Sequence, residues 1–198
     1  MYKKVFKRII DIFLSVLCLP ILFLASIFII PMIWMDDRGP AIYKSDRLGR
    51  NCKDFYMYKF RTMKVNAPDI RTENNETYNS DDDPRLTKVG KVLRKLSLDE
   101  LPQIINVIKG DMSIVGPRPN INDHGEHQLN ELEIKRLEVR PGITGYNQAY
   151  YRNSIPMDEK FVNDVYYVQN ISFIFDVKIV FKTIKTVIMK DNIYNNVN

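Results

Sequence analysis

The chain has 198 residues, of which 45% are apolar and 27% charged, with two cysteines, two histidines and a formal net charge of +5. That balance excludes a disordered chain and a disulfide scaffold, and it leaves enough residues for one well-cored domain after an apolar N-terminal segment. The modest positive charge suits a phosphate ligand or an anionic membrane surface. No RNP, zinc-finger or helix-turn-helix pattern accompanies it, so nucleic acid is not an expected partner.

Val5, Ile9 and Ile12 fall on one helical stripe, while Lys4, Lys7, Arg8 and Asp11 leave it. This reads as an amphipathic lead-in suited to the headgroup layer. Ile12 to Met35 carries no charge and, as a helix, is long enough to cross a bilayer. Lys3, Lys4, Lys7 and Arg8 precede it and hold that end in the cytoplasm. A straight span would place the following domain outside the cell, at odds with its cysteine usage and phosphate-type motifs. We therefore expect a re-entrant helix with both ends cytoplasmic, the alternative being a kinked bitopic span. Pro20 is the expected break, because it lacks an N–H and crowds the Val16 carbonyl, with Ser15 back-bonding to the freed backbone. Pro31 marks the return and Trp34 the interfacial anchor. The division is residues 1–36, lead-in and membrane helix, and 37–198, a cytosol-facing domain.

Cys18 lies within the apolar segment, which argues against a disulfide with Cys52 and for a reducing compartment. His124 and His127 sit on a polar stretch and read as surface residues rather than metal ligands.

Asp36-Asp37-Arg38-Gly39-Pro40 reads as a turn. Ala41 to Lys44 and Phe55 to Phe60 read as strands of a hairpin joined through Leu48-Gly49-Arg50-Asn51. Lys64 to Pro84 is a long polar loop. Val89 to Leu96 is helical, and Ser97-Leu98-Asp99-Glu100 matches a capping box. Leu101, Ile104, Ile105 and Ile108 form the apolar stripe of the next helix, which stops at Gly110. Asp123 to Val139 reads as a charged helix, and Arg140 to Gly145 as a tight loop. Asp158 to Gln169 and Phe173 to Lys190 read as two final helices. The fold class is α/β (α+β), helix-rich, with a small β element.

Asp99 and Glu100 carry the chemistry. Adjacent helical carboxylates diverge and can take two roles, one attacking phosphorus and one holding a divalent cation. A helix cap is the alternative reading, and the two are compatible. Arg118, between Pro117 and Pro119, is held on a restricted backbone as a fork for phosphate or nucleotide; a rigid turn with an incidental arginine is the alternative. Lys59 and Arg61, at the end of the aromatic strand, are further candidate cations, or else a solvated strand end. Asp81-Asp82-Asp83 is a rival metal site of the type used with nucleotide diphosphates. The chain has no P-loop and no Gly-x-Gly-x-x-Gly fingerprint, which removes the main support for kinase, ATPase and dehydrogenase readings.

Taken together, these residues resemble the bacterial sugar transferase family of small monotopic phosphoglycosyl transferases. The resemblance runs over nearly the whole chain. It is carried by Lys7-Arg8-Ile9-Ile10-Asp11, Tyr58-Lys59-Phe60-Arg61-Thr62-Met63, Ser97 to Gln103, Lys109-Gly110-Asp111-Met112-Ser113, Gly116-Pro117-Arg118-Pro119, Arg140 to Gly145 and Asp164-Val165-Tyr166-Tyr167. It implies a monotopic protein of a bacterial cytoplasmic membrane, with a re-entrant helix and a catalytic domain on the cytoplasmic face. It implies transfer of a sugar-1-phosphate from a UDP-sugar to a polyprenyl phosphate, with UMP released, as the first membrane step of a surface glycan. The family's nucleophile falls on Asp99 and its metal-linked acid on Glu100, with Mg²⁺ as the ion. Arg94 matches a cation near the phosphates, and Pro117-Arg118 the nucleotide-side loop. The family's helix-breaking proline falls about one turn later than Pro20, near Leu24-Ala25-Ser26. Two other readings stand beside this one: a membrane-associated glycosyltransferase that uses Asp81 to Asp83 and releases UDP, and a non-enzymatic membrane adaptor. The segment Tyr146 to Asn153 is the candidate sugar contact.

Overall fold

The computed structural model describes residues 1–70, 78, 80, 82–122, 124–125, 128–151 and 154–189. A short helical turn, Tyr2–Phe6, runs into α1 (Lys7–Asp36), which is followed by a hairpin of β1 (Ile42–Leu48) and β2 (Asp54–Phe60). Then come α2 (Lys88–Lys95), a 3₁₀ turn (Leu98–Glu100), α3 (Gln103–Lys109), β3 (Ser113–Val115), α4 (Glu131–Arg136), β4 (Gly142–Thr144), α5 (Tyr146–Tyr150), α6 (Met157–Gln169) and α7 (Phe173–Met189).

α1 is the one described helix long and apolar enough to cross a membrane. It continues through Pro20 and Pro31, so the break expected at Pro20 does not interrupt the helix. Each proline removes a single N–H, and both rings face away from the domain. Ser15 does not back-bond: its hydroxyl is buried without a partner, whereas Ser26 donates to the Leu22 carbonyl at 2.7 Å. Asp11, Ser15, Leu22, Ile29 and Ile33 form one buried stripe at helical spacing along the full length of α1. The other faces expose apolar side chains, among them Phe13, Leu17, Phe23, Phe28 and Met35.

Both ends of α1 are fastened to the same body. At the start, Arg8 donates to the Val107 and Ile108 carbonyls at 2.6 and 3.1 Å. Asp11 accepts from Ser113 Oγ at 2.7 Å and from the Ile114 amide at 3.1 Å. At the far end, Asp36 accepts from the Val89 amide at 2.7 Å and Asp37 pairs with Arg61. In the lead-in, Val5, Ile9 and Ile12 are exposed as the apolar stripe requires. Two of its cations reach the domain: Lys7 pairs with Asp176 at 2.7 Å, and Lys3 donates to the Val168 carbonyl at 3.3 Å.

The hairpin forms, but its first strand runs on past Lys44 to Leu48, with Ile42 opposite Phe60 and Leu48 opposite Asp54. Its apolar face feeds two clusters. Phe60 joins Leu22, Ile29, Ile33 and Leu93, while Phe55 and Met57 join Val107 and Met112. A third cluster, Val115, Ala149, Tyr167, Val168 and Ile179, binds α6 and α7 to β3.

Three local expectations are corrected. Ser97 is not a helix cap: it adopts φ +55°, in the left-handed region, and makes no capping bond, so Asp99 and Glu100 lie in a 3₁₀ turn between two helices. The charged helix begins only at Glu131, where Asn130 and Glu133 form a true capping box. Upstream, His124 and Gly125 have positive φ, which an α-helix does not admit; Asp123, Glu126 and His127 lie outside the described residues. The supposed loop at Arg140 to Gly145 contains β4, paired in parallel with β3. In α3 the buried face is Gln103, Ile104, Asn106 and Val107, with Ile105 exposed.

Candidate active site

Four segments converge on Asp99 and Glu100. α2 is opened by Thr87, whose hydroxyl accepts from the Gly90 amide at 2.9 Å. Gly90 packs against the backbone after β2 so closely that a Cβ there would lie 1.9 Å from the Thr62 carbonyl oxygen. That approach brings Arg94, in the last turn of α2, to Thr62, where its Nε donates to Oγ1 at 3.1 Å. The positive φ of Ser97 then redirects the chain into the turn that carries both carboxylates.

Lys59, near the end of β2, meets Glu100 with Nζ 2.6 Å from Oε1, and Arg118 Nη1 lies 3.8 Å from the same oxygen. Lys59, Arg94 and Arg118 all act on the charge of Asp99. Depth grades across the group. Asp99 is buried, Lys59 and Glu100 are partly exposed, and the Arg118 side chain is exposed. The deep carboxylate thus sits behind cations at the mouth, the order required by a substrate that presents phosphates first.

The two carboxyls are driven apart. Burial pushes Asp99 up to about 6, helped by the Glu100 charge and opposed by Lys59, Arg94 and Arg118. Burial also acts to raise Glu100, but the Lys59 ammonium and the Arg118 guanidinium overcome it and hold that carboxyl well below the usual range. The Gln103 amide adds a hydrogen bond to Glu100 in the same sense. Glu100 is therefore held in its ionised form at neutral pH, and Asp99 is left with little solvation.

Arg118 reaches the mouth on an anchored backbone. The Gly116 amide donates to the Thr144 carbonyl and the Gly142 amide to the Pro117 carbonyl, both at 2.9 Å. Gly142 is held so close that a Cβ would stand 2.1 Å from the Gly116 nitrogen. Pro117 and Pro119 are buried on either side of the exposed arginine.

Of the residues singled out from sequence, Asp99, Glu100, Lys59, Arg94 and Arg118 come together, with Pro117 forming the loop. Arg61 does not join them. It is buried, and its guanidinium pairs with Asp37 at 2.6 Å and donates to the Pro40 carbonyl at 2.7 Å and the Met63 carbonyl at 3.2 Å. It closes the turn after α1, a contact 24 residues away in sequence that no local pattern shows. The rival aspartate run is also used otherwise. Asp83 grips Arg85 with both oxygens, at 2.7 to 3.2 Å, and Asp82 is exposed 3.6 Å from Lys91. Asp81 lies outside the described residues. No cluster of three metal-ligating side chains occurs among the described residues. His124 is exposed, 3.4 Å from Asp46.

The candidate sugar segment is α5. Tyr146, Tyr150 and Tyr151 stack with one another, and Tyr146 also packs on Tyr166 and Phe175, with ring centroids between 4.9 and 6.5 Å. Tyr146, Tyr150, Tyr166 and Phe175 line an open cavity of about 390 Å³ with Asn170, Ser172 and Lys178. Asn147 is committed to Asp164 and the Lys160 carbonyl, whereas the buried Gln148 amide has no partner. Arg152 and Asn153 lie outside the described residues.

Residues 2–190 match the profile of a family described as bacterial sugar transferase. The chain belongs to that family. It is 44% identical over 191 residues to a galactosyl transferase, CpsE, of Streptococcus agalactiae, an alignment that takes in 92% of this chain and 42% of that protein. It is 40% identical over 206 residues to the undecaprenyl-phosphate galactose phosphotransferase of Salmonella typhimurium, covering 97% and 42% of the two chains. The chain thus spans about two-fifths of the length of these relatives. The sugar transferase EpsL of Bacillus subtilis is closer in size, with 40% identity across 96% of this chain and 90% of that one.

Proposed function

We propose that the protein transfers a sugar-1-phosphate from a UDP-sugar to a polyprenyl phosphate, releasing UMP, in the early membrane phase of surface glycan assembly. The observation that carries this reading is the pair of adjacent carboxyls with opposite shifts, set among Lys59, Arg94 and Arg118. Family membership and the Salmonella relative, a phosphotransferase acting on undecaprenyl phosphate by its name, support it.

In this mechanism an Asp99 oxygen attacks the phosphorus that bears the sugar. The bond from that phosphorus to the bridging oxygen breaks, and UMP leaves with the oxygen and its electron pair. The polyprenyl phosphate oxygen then attacks the same phosphorus, forms the lipid diphosphate sugar and returns Asp99 as a carboxylate. Lys59 and Arg94 offset the phosphate charge beside the nucleophile, and Arg118 grips the nucleotide side. Burial leaves the Asp99 carboxylate poorly solvated, so little water has to be displaced before attack. The donor set suits Mg²⁺, which is typically held by one or two carboxylates and substrate phosphates. Glu100, kept ionised by Lys59, is the residue to hold it. When bound, the ion neutralises pyrophosphate charge.

The attachments at both ends of α1 support a monotopic arrangement with the domain on one side of the bilayer, because a full crossing would carry one end to the other side. With the donor in the cytosol, that side is the cytoplasmic face. Of the aspartates that the UDP-releasing alternative would use, Asp83 is paired with Arg85, which disfavours that reading. The test is mass spectrometry of protein incubated with Mg²⁺ and UDP-sugars without lipid acceptor. Wild type should gain one sugar phosphate on Asp99 and Asp99→Asn none; an unmodified wild type that turns over normally once acceptor is added would remove the covalent step.

A further inference from the structure

Arg118 has an exposed side chain that acts at the mouth of the site, so its aim depends on its backbone. One side chain grips that backbone from within. Arg136, at the end of α4, donates from Nη2 to the Arg118 carbonyl at 2.6 Å, and its Nη1 contacts Asn120 Oδ1. Arg136 is 3% exposed and Asp164 of α6 is 2% exposed. Asp164 Oδ2 receives Arg136 Nε at 2.8 Å and Nη2 at 2.6 Å, and the Phe161 ring lies 4.9 Å from the guanidinium carbon. The second Asp164 oxygen accepts from Asn147 of α5 at 2.8 Å.

A buried ion pair is a poor source of net stability, since desolvating two charges offsets most of their attraction. What this pair does supply is direction. Asp164 takes Nε and one face of Nη2, which leaves the remaining guanidinium donors pointing at the loop that carries Arg118. A lysine would not reproduce this aim, because its three donors radiate from one freely rotating nitrogen instead of a planar fork.

We propose that Asp164 and Arg136 are positioning residues for donor binding, acting through the Arg118 loop and tying it to α5. The inference rests on the reading of Arg118 as a nucleotide contact. Loosening the pair should lower affinity for the UDP-sugar and leave the Asp99 chemistry largely intact, because neither residue touches the carboxylates.

The test is a double-mutant cycle on the full chain in lipid nanodiscs, with UDP affinity by calorimetry and donor kinetics as readouts. Asp164→Asn keeps the shape and removes the charge; Asn120→Ala removes the loop's contact with Arg136 Nη1 and leaves the Asp164–Arg136 contacts in place. Arg118→Ala alone should weaken UDP binding about tenfold. Asp164→Asn and Asn120→Ala should each raise donor KM severalfold with kcat within about twofold, and each should add nothing in an Arg118→Ala background. Effects of Asp164→Asn and Arg118→Ala that multiply would overturn the positioning role and leave a structural one. An Arg118→Ala protein with unchanged UDP affinity would instead remove the nucleotide reading of Arg118 itself. If Asp164→Asn does not fold, Asn120→Ala decides by the same criterion.

Discussion

Lys59 and Glu100 meet at 2.6 Å across 41 residues of sequence, and this contact joins the hairpin to the turn that carries Asp99 and Glu100. It helps to keep Glu100 ionised despite its partial burial, and the Glu100 charge in turn helps to raise Asp99. The difference between the two adjacent acids comes from the burial of Asp99 and from the Lys59 and Arg118 charges beside Glu100.

Lys59→Gln is expected to cut kcat/KM by about 10- to 100-fold, because it removes a phosphate-facing cation and lets Glu100 rise toward an ordinary carboxylate. Steady-state rates at several Mg²⁺ concentrations check this: the variant should need more Mg²⁺ for half-maximal activity. Wild-type kinetics in Lys59→Gln would reduce the pair to a strand-end contact.

Asp99 should make the protein less stable while making it active. Its folded value lies above the ordinary carboxylate range, so between about pH 4 and 6 the folded state binds more protons than the unfolded state, and stability falls as pH rises through that window. In chelator, Asp99→Asn should be inactive yet melt higher than wild type at pH 7.5, by at most about 3 kcal/mol, and the two should converge near pH 4. Thermal unfolding at both pH values measures it. A variant destabilised at pH 7.5 would contradict the burial argument.

Arg61 should behave as a structural residue. Arg61→Met breaks its ion pair with Asp37 and abandons the Pro40 and Met63 carbonyls, at a cost of about 2–4 kcal/mol. The melting temperature should fall while kcat/KM per folded molecule stays within about threefold of wild type. A large kinetic loss in a fully folded variant would return Arg61 to the site.

Gln148 offers a test of the sugar segment. Its buried amide has no partner, so Gln148→Leu should stabilise the free protein by about 1 kcal/mol. If the amide is reserved for the donor, the same variant should raise KM for the preferred UDP-sugar and narrow the gap to other sugars. Unchanged preference across a panel of UDP-sugars would assign sugar recognition elsewhere.

The parts legible in the sequence are those with local signals. The hairpin, α2, α6 and α7 follow from period and turn residues, and Asp99, Glu100 and Arg118 from the company they keep in their motifs. The parts that escaped depend on distant partners or on very short elements. β3 and β4 have three residues each and pair at Ser113–Gly142 and Val115–Thr144, too short for either to show a strand period. Ser97 resembles a cap in composition, but its left-handed backbone is set by how α2 meets the turn. Arg61 and Lys59 are two residues apart on one strand end, and only the folded chain gives one to Asp37 and the other to Glu100. Gln103, which supports Glu100, stands in the same motif three residues on; the helical spacing was a usable signal for it.

The most direct test of the account is the identity of the nucleotide released. Purified protein in nanodiscs is given Mg²⁺, undecaprenyl phosphate and a panel of UDP-sugars, and products are separated by chromatography. The account predicts UMP, formed in proportion to lipid acceptor and lost in Asp99→Ala, with Asp82→Ala unaffected. Release of UDP, or full turnover by Asp99→Ala, would contradict it.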